Sequence, residues 1–405
     1  MFQTVFERAF RPFFLGGAVF ALVAMILWTW QFTHPSLAFA GLSSVDWHAH
    51  EMIFGYVLAI VTGFLLTAVL NWSGMNSAQG VPLAVIFALW ALARLGYVID
   101  LPIDWIALFD LGFNAGLLAL FAWPIIKKRL WTQAGLVGLF GALLALNGLF
   151  YGQVMLPSSA YLSTDLSTNL STPANILTAG LFVILAINLT MMARMIPFFT
   201  EKSLQLAPLK PQKWLDNATM LGFLALMLVL IIWPNLLVTS LLAWGVGALF
   251  AYRGVRWYHR KIWTQLLLWP LHLAYGFITL GLILLGFAHL NWLSTSLAIH
   301  ALAAGGVGLL CSAMLARISL GHTQRSILQP PTLSVLGLTL TLKWVFIALS
   351  LAAVLRVIFP LLFAEQTLLW IQLSQFSWMT GFALLIALYW KILIQPGLVK
   401  ANNLF

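Results

Sequence analysis

Two histidines, a carboxylate and a thioether stand within six residues at the start of a long apolar segment. The stretch is Trp47-His48-Ala49-His50-Glu51-Met52. Ionisable groups at the edge of the hydrocarbon layer are costly unless they have partners or a function. Imidazole, carboxylate and thioether groups ligate transition metals, and imidazole and thioether also ligate haem iron. The stretch therefore predicts a metal or haem site. The alternative is a set of polar helix-end residues in the membrane interface.

The two histidines of this stretch are expected to face different directions. On an ideal helix, residues two positions apart lie about 200° apart, so His48 and His50 cannot both face one site. The face of His48 continues through Met52, Gly55, Ala59 and Gly63. Such a small-residue face suits close approach of another helix or of a flat macrocycle. His48 is thus the first candidate ligand and His50 the second, although both could bind one ion if the helix began after His50.

His300 has similar surroundings in a later apolar segment. Its helical face continues through Ala304, Gly308 and Cys311. We expect His48 and His300 at similar depth, because both helices run inward in the predicted topology. A histidine pair on separate helices suits a bis-histidine haem or part of a copper site. Alternatively, the small faces serve only to pack helices.

The composition is that of a membrane protein. Of the 405 residues, 62% are hydrophobic and 7% are charged, whereas a soluble domain carries about 25% charged residues. The continuous apolar runs predict helices and not barrel strands. With Cys311 as the single cysteine, a disulfide framework or a cysteine-ligated cluster within one chain is excluded. The predicted fold is an all-α polytopic transmembrane bundle of about 12 helices.

The predicted spans form one integral membrane domain over residues 1–405, with two sets of six helices divided near 198–214. They cover residues 13–32, 48–70, 81–99, 104–126, 131–155, 173–197, 215–233, 236–252, 264–287, 298–320, 335–359 and 366–395. The inner connections then hold nearly all lysines and arginines, while Arg94 and Arg356 fall toward the outer side. This positive-inside pattern predicts cytoplasmic termini. It also explains the net charge of +10 without nucleic acid.

Further candidate ligands lie deeper or toward the inner side. His272 follows a proline inside the ninth span, where we expect it to serve a second metal or the opposite side of the same site. His322 lies roughly 33 Å along the helix from His300, the full hydrocarbon thickness. It is therefore a candidate metal ligand in a separate inner cluster with Arg317. Arg194 and Arg317 would hold haem propionates or another anion, or are ordinary positive-inside residues.

Several motifs resemble those of the NnrS family of polytopic membrane proteins. They are residues 47–55, 62–68, 194–200, 272–276 and 317–325. They run from the second to the tenth predicted span, so the resemblance covers most of the chain. It implies a haem- and copper-containing, multi-pass protein of the bacterial inner membrane. It also implies a role in nitric oxide metabolism and protection from nitrosative stress.

The resemblance leaves the mechanism open. The expected cofactors are a b-type haem and copper, and the expected partners are the lipid bilayer and nitric oxide or iron-nitrosyl species, with no electron donor defined. A haem–copper oxidoreductase acting on nitric oxide is one expectation. The alternatives are a transporter or metal-handling permease without redox chemistry, and an assembly factor for denitrification enzymes. The resemblance does not assign His48, His50, His272 or His300 to iron or to copper.

Overall fold

The chain folds into an all-α bundle of long apolar helices. The computed structural model describes residues 2–34, 39–76, 78–155, 170–207, 212–335 and 338–398. Within these ranges, twelve helices are long and apolar enough to cross a membrane. They are α1 (Phe10–Thr33), α2 (Ser44–Ser73), α3 (Gly80–Val98), α4 (Ile103–Lys127), α5 (Trp131–Met155), α6 (Pro173–Leu204), α7 (Lys213–Ile232), α8 (Leu236–Trp257), α9 (Trp269–His289), α10 (Thr295–His322), α11 (Leu342–Leu362) and α12 (Ala364–Ile394). The predicted fold class is confirmed, and the chain is a multi-pass membrane protein.

Most predicted spans agree with these helices to within a few residues, but two helices begin later than expected. Helix α9 begins at Trp269 and not near residue 264, because Arg260–Thr264 forms a separate 3₁₀ helix. Pro270 then lies in the first turn of α9, where its missing N–H costs nothing. Helix α11 begins at Leu342 because the preceding residues form an antiparallel hairpin of β1 (Thr332–Val335) and β2 (Leu338–Thr341).

Successive helices alternate in direction, which gives the bundle two ends. We call the end that holds Phe10 and Trp269 the proximal end, and the end that holds Ser44 and Thr295 the distal end. Helix α1 begins and helix α12 ends at the proximal end. The shared end of the two chain termini is thus consistent with the predicted topology, and its cytoplasmic orientation stays a prediction. The division between two sets of six helices also stays a prediction, and residues 208–211 of that connection lie outside the described residues.

Helices α2, α6 and α10 form the centre of the bundle. In the most apolar part of α2 and of α6, 83% of residues are buried, and in α10 78%, against 28% in α7. A helix buried all round needs small residues where neighbours approach closely. At Gly63 of α2, a Cβ atom would lie 2.8 Å from the ring of Phe14 on α1. The three central helices line both cavities described below.

Candidate cofactor site

A cavity of about 340 Å³ lies in the distal half of the bundle, lined by residues of α1, α2, α6, α10, α11 and α12. This volume is in the range of small-molecule sites, about 300–1,000 Å³. The walls are mainly apolar. A few polar side chains converge on the cavity, and they are His48, His300, Arg356, Ser374 and Gln375. The predicted pairing of His48 and His300 at similar depth is therefore the arrangement that the fold produces.

His48 is held near the start of α2 with one ring nitrogen left over. Ser43 caps the helix, accepting a hydrogen bond from the backbone N–H of Asp46 at 3.1 Å. The His48 ring stacks on Trp28 of α1, with ring centres 4.4 Å apart and an interplanar angle of 17°. Its Nδ1 is buried and has no hydrogen-bond partner among the described residues. A buried polar atom without a partner is costly, so this nitrogen indicates a ligand.

His300 is oriented by its own helix. Its Nδ1 lies 2.7 Å from the backbone carbonyl oxygen of Ser296. Because a carbonyl oxygen only accepts, Nδ1 carries the proton in this contact, and the neutral ring keeps a lone pair on Nε2. Metal-ligating histidines are commonly oriented by such a contact from the other ring nitrogen. His300 therefore has the tautomer that a metal ligand requires.

Arg356 and Gln375 add polar groups on the α11 and α12 side of the cavity. Arg356 Nη2 donates to Ser296 Oγ at 2.8 Å, so Ser296 links the arginine to His300. Gln375 is 4% exposed, and both polar atoms of its amide lack a partner among the described residues. A guanidinium beside an amide suits an anionic group such as a carboxylate.

A π-helical segment directly follows each candidate histidine. Helix α2 is π-helical over Glu51–Val57, and α10 is π-helical over Ala301–Gly308. Such segments are rare and occur often at functional sites. Their wider turn changes which residues share a face. On α2 the residues facing the cavity below His48 are consequently Met52 and Tyr56.

The predicted small-residue faces are therefore only partly correct. Gly55 does not face the cavity: a Cβ atom there would lie 2.5 Å from Phe20 of α1. Below His300, Ala304 lines the cavity as predicted. Gly308 instead packs on the indole of Trp378, at 2.8 Å from a built Cβ. The physical reason is the π-helical turn, which an ideal α-helical count omits.

His50 lies on another side of α2, in a closed polar cluster. It is completely buried. Its Nδ1 lies 2.9 Å from Glu51 Oε1, and its Nε2 lies 2.9 Å from Asn147 Oδ1. Arg94 completes the cluster, with Nε 2.9 Å from Glu51 Oε2 and Nη2 2.6 Å from Asp110 Oδ1. Both ring nitrogens of His50 are thus engaged, and a metal would have to displace one of these contacts.

The other predicted histidine ligands lie at the proximal end. His272 is in the first turn of α9, nearer the helix end than predicted, and its Nε2 lies 2.9 Å from Thr200 Oγ1. His322 ends α10, where Arg8 Nη1 donates to its Nδ1 at 3.2 Å and its ring stacks on Phe10. The fold does not bring either histidine to the distal cavity.

The two predicted anion-binding arginines also lie at the proximal end. Arg194 is exposed and donates to Gln133 Oε1 at 3.2 Å. The guanidinium of Arg317 lies 3.7 Å from the ring centre of Phe199, and its Nη1 donates to the Leu267 carbonyl at 3.3 Å. Neither lines the distal cavity, where Arg356 occupies the position of a cationic group.

Sequence reasoning missed Arg356 and Gln375 as site residues. A signal for the arginine was present, because Arg94 and Arg356 are the two exceptions to the positive-inside pattern. The structure places Arg94 in the His50 cluster and Arg356 in the distal cavity. A basic residue on the wrong side of the membrane is therefore informative here. Gln375 had no comparable signal, since nothing in its sequence context predicts which neighbours it lacks.

Metal binding at the distal cavity would depend on few donors. His48, His300 and the thioether of Met52 are the side chains lining it that commonly bind transition metals. Within the described ranges, no group of three or more His, Cys, Asp or Glu residues could hold a metal ion. Two imidazoles on facing helices suit a metal whose remaining ligands come from a cofactor.

The fold and this site define a polytopic helical membrane protein with a histidine-lined cavity between its central helices. The NnrS protein family matches residues 4–396, nearly the whole chain, and the chain belongs to that family. The resemblance noted in the sequence is thereby confirmed. Membership fits a nitric-oxide-related membrane protein. The chain matches no curated protein.

Proposed function

We propose that this protein binds haem in the distal cavity, in the bacterial inner membrane. There it would act in nitric oxide metabolism and protect against nitrosative stress. The observation that carries the proposal is the histidine pair: His48 has a buried nitrogen without a partner, and His300 is held in a ligating tautomer. Both line one cavity of about 340 Å³.

The residues of the cavity fit such a cofactor in three ways. His48 and His300 would hold the iron from two helices, and the contact with Ser296 fixes the His300 ring. Arg356 and Gln375 would bind the carboxylates of a b-type haem. The apolar walls would exclude water and admit an apolar gas from the lipid. Haem iron supplies a centre that binds nitric oxide. We propose nitric oxide or iron-nitrosyl species as the substrate, with binding or redox chemistry as the reaction class.

Copper is the second cofactor in this proposal, and it requires ligands other than those of the haem. If haem occupies His48 and His300, Met52 is the one soft donor left in the cavity lining. A copper ion bound together with haem would therefore lie elsewhere in the chain.

A permease without redox chemistry is less well supported. Transport sites place membrane carboxylates against a cavity or pathway. Glu51 and Asp110 are instead paired with Arg94, at 2.9 Å and 2.6 Å, and neither lines the distal cavity. The cluster is therefore better explained as a structural element.

Absorption spectroscopy of the detergent-purified protein tests the proposal. We expect a Soret band that shifts on reduction and again on addition of nitric oxide. His48→Ala and His300→Ala should lower the haem content per folded protein. His34→Ala, a change in an exposed residue, is the control. A colourless protein from haem-sufficient cells, with no metal on elemental analysis, would exclude the proposed function.

A further inference from the structure

A second, smaller cavity lies directly below the distal cavity and is lined by sulfur. Its volume is about 20 Å³. Met191, Met192 and Met195 of α6 face Cys311 and Met314 of α10 across it. The chain has 12 methionines and one cysteine. One third of the methionines and the only cysteine therefore meet at one small space, which we call the sulfur cavity.

The size and lining of the sulfur cavity restrict what can occupy it. A cavity of this size is just large enough for one water molecule, which needs about 10–15 Å³ and two to four polar partners. The lining offers one polar side chain, Asn188, and its Nδ2 already donates to the Ile184 carbonyl at 2.9 Å. Water is thus poorly served, whereas a single ion that prefers sulfur would have several donors.

We infer that the sulfur cavity binds one soft monovalent metal ion of the copper(I) class. Thioether and thiolate ligands select copper(I) among biological metals. The lining contains no carboxylate, which disfavours calcium and magnesium because they require oxygen ligands. On binding, the Cys311 thiol would lose one proton as the copper–sulfur bond forms, with no change of oxidation state. One thiolate then balances one monovalent ion in a buried site.

The position of the sulfur cavity relates it to the distal cavity. Both are lined by α2, α6 and α10. On α2 the lining passes from Val57 to Ile60, and on α10 from Val307 to Leu310. Three residues of helix correspond to about 4.5 Å. An ion in the sulfur cavity would therefore lie about one helical turn below the distal cavity, between the same three helices.

The inference rests on the proposed function only in taking copper as the second cofactor, and the two can fail separately. The test is an anaerobic titration of the full-length protein with copper(I) against the chromophoric chelator bicinchoninate. X-ray absorption then distinguishes sulfur from nitrogen ligands. We expect one tightly bound copper(I) with sulfur scatterers. The haem Soret band, read in the same sample, reports on the distal cavity independently.

The informative variant is the triple change Met191→Leu, Met195→Leu and Met314→Leu, because leucine preserves the volume and removes the sulfur. Loss of even an outer partner of a metal ligand weakens binding about 10–100-fold, so this variant should weaken copper(I) binding by at least that factor. Cys311→Ser should remove the proton release. Met220→Leu on α7, outside both cavities, is the matched control.

Three results would overturn the inference: no copper(I) bound by folded protein, nitrogen scatterers in place of sulfur, or unchanged affinity in the triple leucine variant. His48→Ala with His300→Ala should keep the sulfur-bound copper. A loss of both metals in that variant would instead assign the copper to the distal cavity.

Discussion

His48 and His50 are two residues apart on α2, yet they lie in regions of opposite character. Both are shielded from solvent by the surrounding helices. His48 lines a cavity and keeps Nδ1 without a partner, whereas both nitrogens of His50 lie 2.9 Å from oxygen atoms. Burial alone therefore does not distinguish a ligand from a structural histidine. The count of satisfied hydrogen-bonding atoms does, because an unsatisfied buried nitrogen carries a desolvation cost that a ligand can remove.

The two regions also differ in how charge is handled. Around His50, Arg94 lies between the carboxylates of Glu51 and Asp110, and these groups fill the space between α2, α3 and α4. Around His48 and His300, the one charged group in contact with the site is Arg356, among the described residues lining the cavity apart from Asp46 at its rim. A closed ion cluster stabilises the fold, whereas a cavity with unmatched polar groups is arranged for a ligand.

The largest effect is expected at Arg94. Arg94→Ala would leave Glu51 and Asp110 as buried carboxylates without their cation, and breaking a buried ion pair in this way costs about 3–5 kcal/mol. Thermal unfolding of the purified protein in detergent measures the loss. Arg194→Ala is the control, since Arg194 is exposed and has one side-chain hydrogen bond to Gln133. Equal stability of the two variants would show that the His50 cluster is not a structural element.

A second prediction separates the two histidines directly. His48→Ala should lose bound haem while the fold remains, because no hydrogen bond of His48 is broken. His50→Ala should keep the haem spectrum of the folded fraction. It should nevertheless lower the free energy of unfolding by about 1–3 kcal/mol, because Asn147 Oδ1 and Glu51 lose a buried partner.

The measurement is haem content per folded protein, together with thermal unfolding, for both variants. Size-exclusion chromatography supplies the folded fraction. If His50→Ala abolishes haem binding while His48→Ala leaves it intact, the assignment of the two regions is reversed.

Much of the fold was predictable because hydropathy and helix length are local properties. The twelve spans, the depth of His48 and His300 and the division at Trp233-Pro234-Asn235 follow from such signals. At that division, Asn235 Oδ1 accepts hydrogen bonds from the N–H groups of Leu237 and Val238. The partners of each polar side chain were not predictable, since they come from other helices. Asn147 is 97 residues from His50, and nothing local connects them.

The π-helical segments mark the clearest limit of the sequence. Counting faces at 3.6 residues per turn placed Gly55 below His48, whereas Tyr56 lies there. The choice between an α- and a π-helical turn depends on packing against neighbouring helices. A single sequence does not contain that information. Local reasoning therefore identified the correct histidine pair but the wrong residues below one of its members.

Arg356 should have a smaller effect than the histidines. Arg356→Gln removes the cation proposed to bind the carboxylates, and a hydrogen bond to a charged group is worth about 1.5–3 kcal/mol. Haem should consequently dissociate faster, roughly 10–100-fold by that estimate, as measured by transfer to a haem-scavenging globin. Arg356→Lys keeps the charge and should restore part of the retention. Identical dissociation rates in all three proteins would remove Arg356 from the site.

The smallest effect is expected at His272, which was predicted to serve a second metal or the other side of the same site. In the structure it lies at the proximal end, with its Nε2 beside Thr200 Oγ1. The Thr200 hydroxyl also donates to the Ile196 carbonyl at 2.7 Å, so it stays satisfied when the histidine is removed. His272→Ala should therefore cost about 0.5 kcal/mol, the low end for one hydrogen bond. It should leave the Soret band and the copper content unchanged. Difference spectroscopy and elemental analysis against the His34→Ala control measure both quantities. A loss of either metal on changing His272 alone would show that the proximal end holds a ligand, and that the unsatisfied-atom criterion separating His48 from His50 does not extend to the rest of the chain.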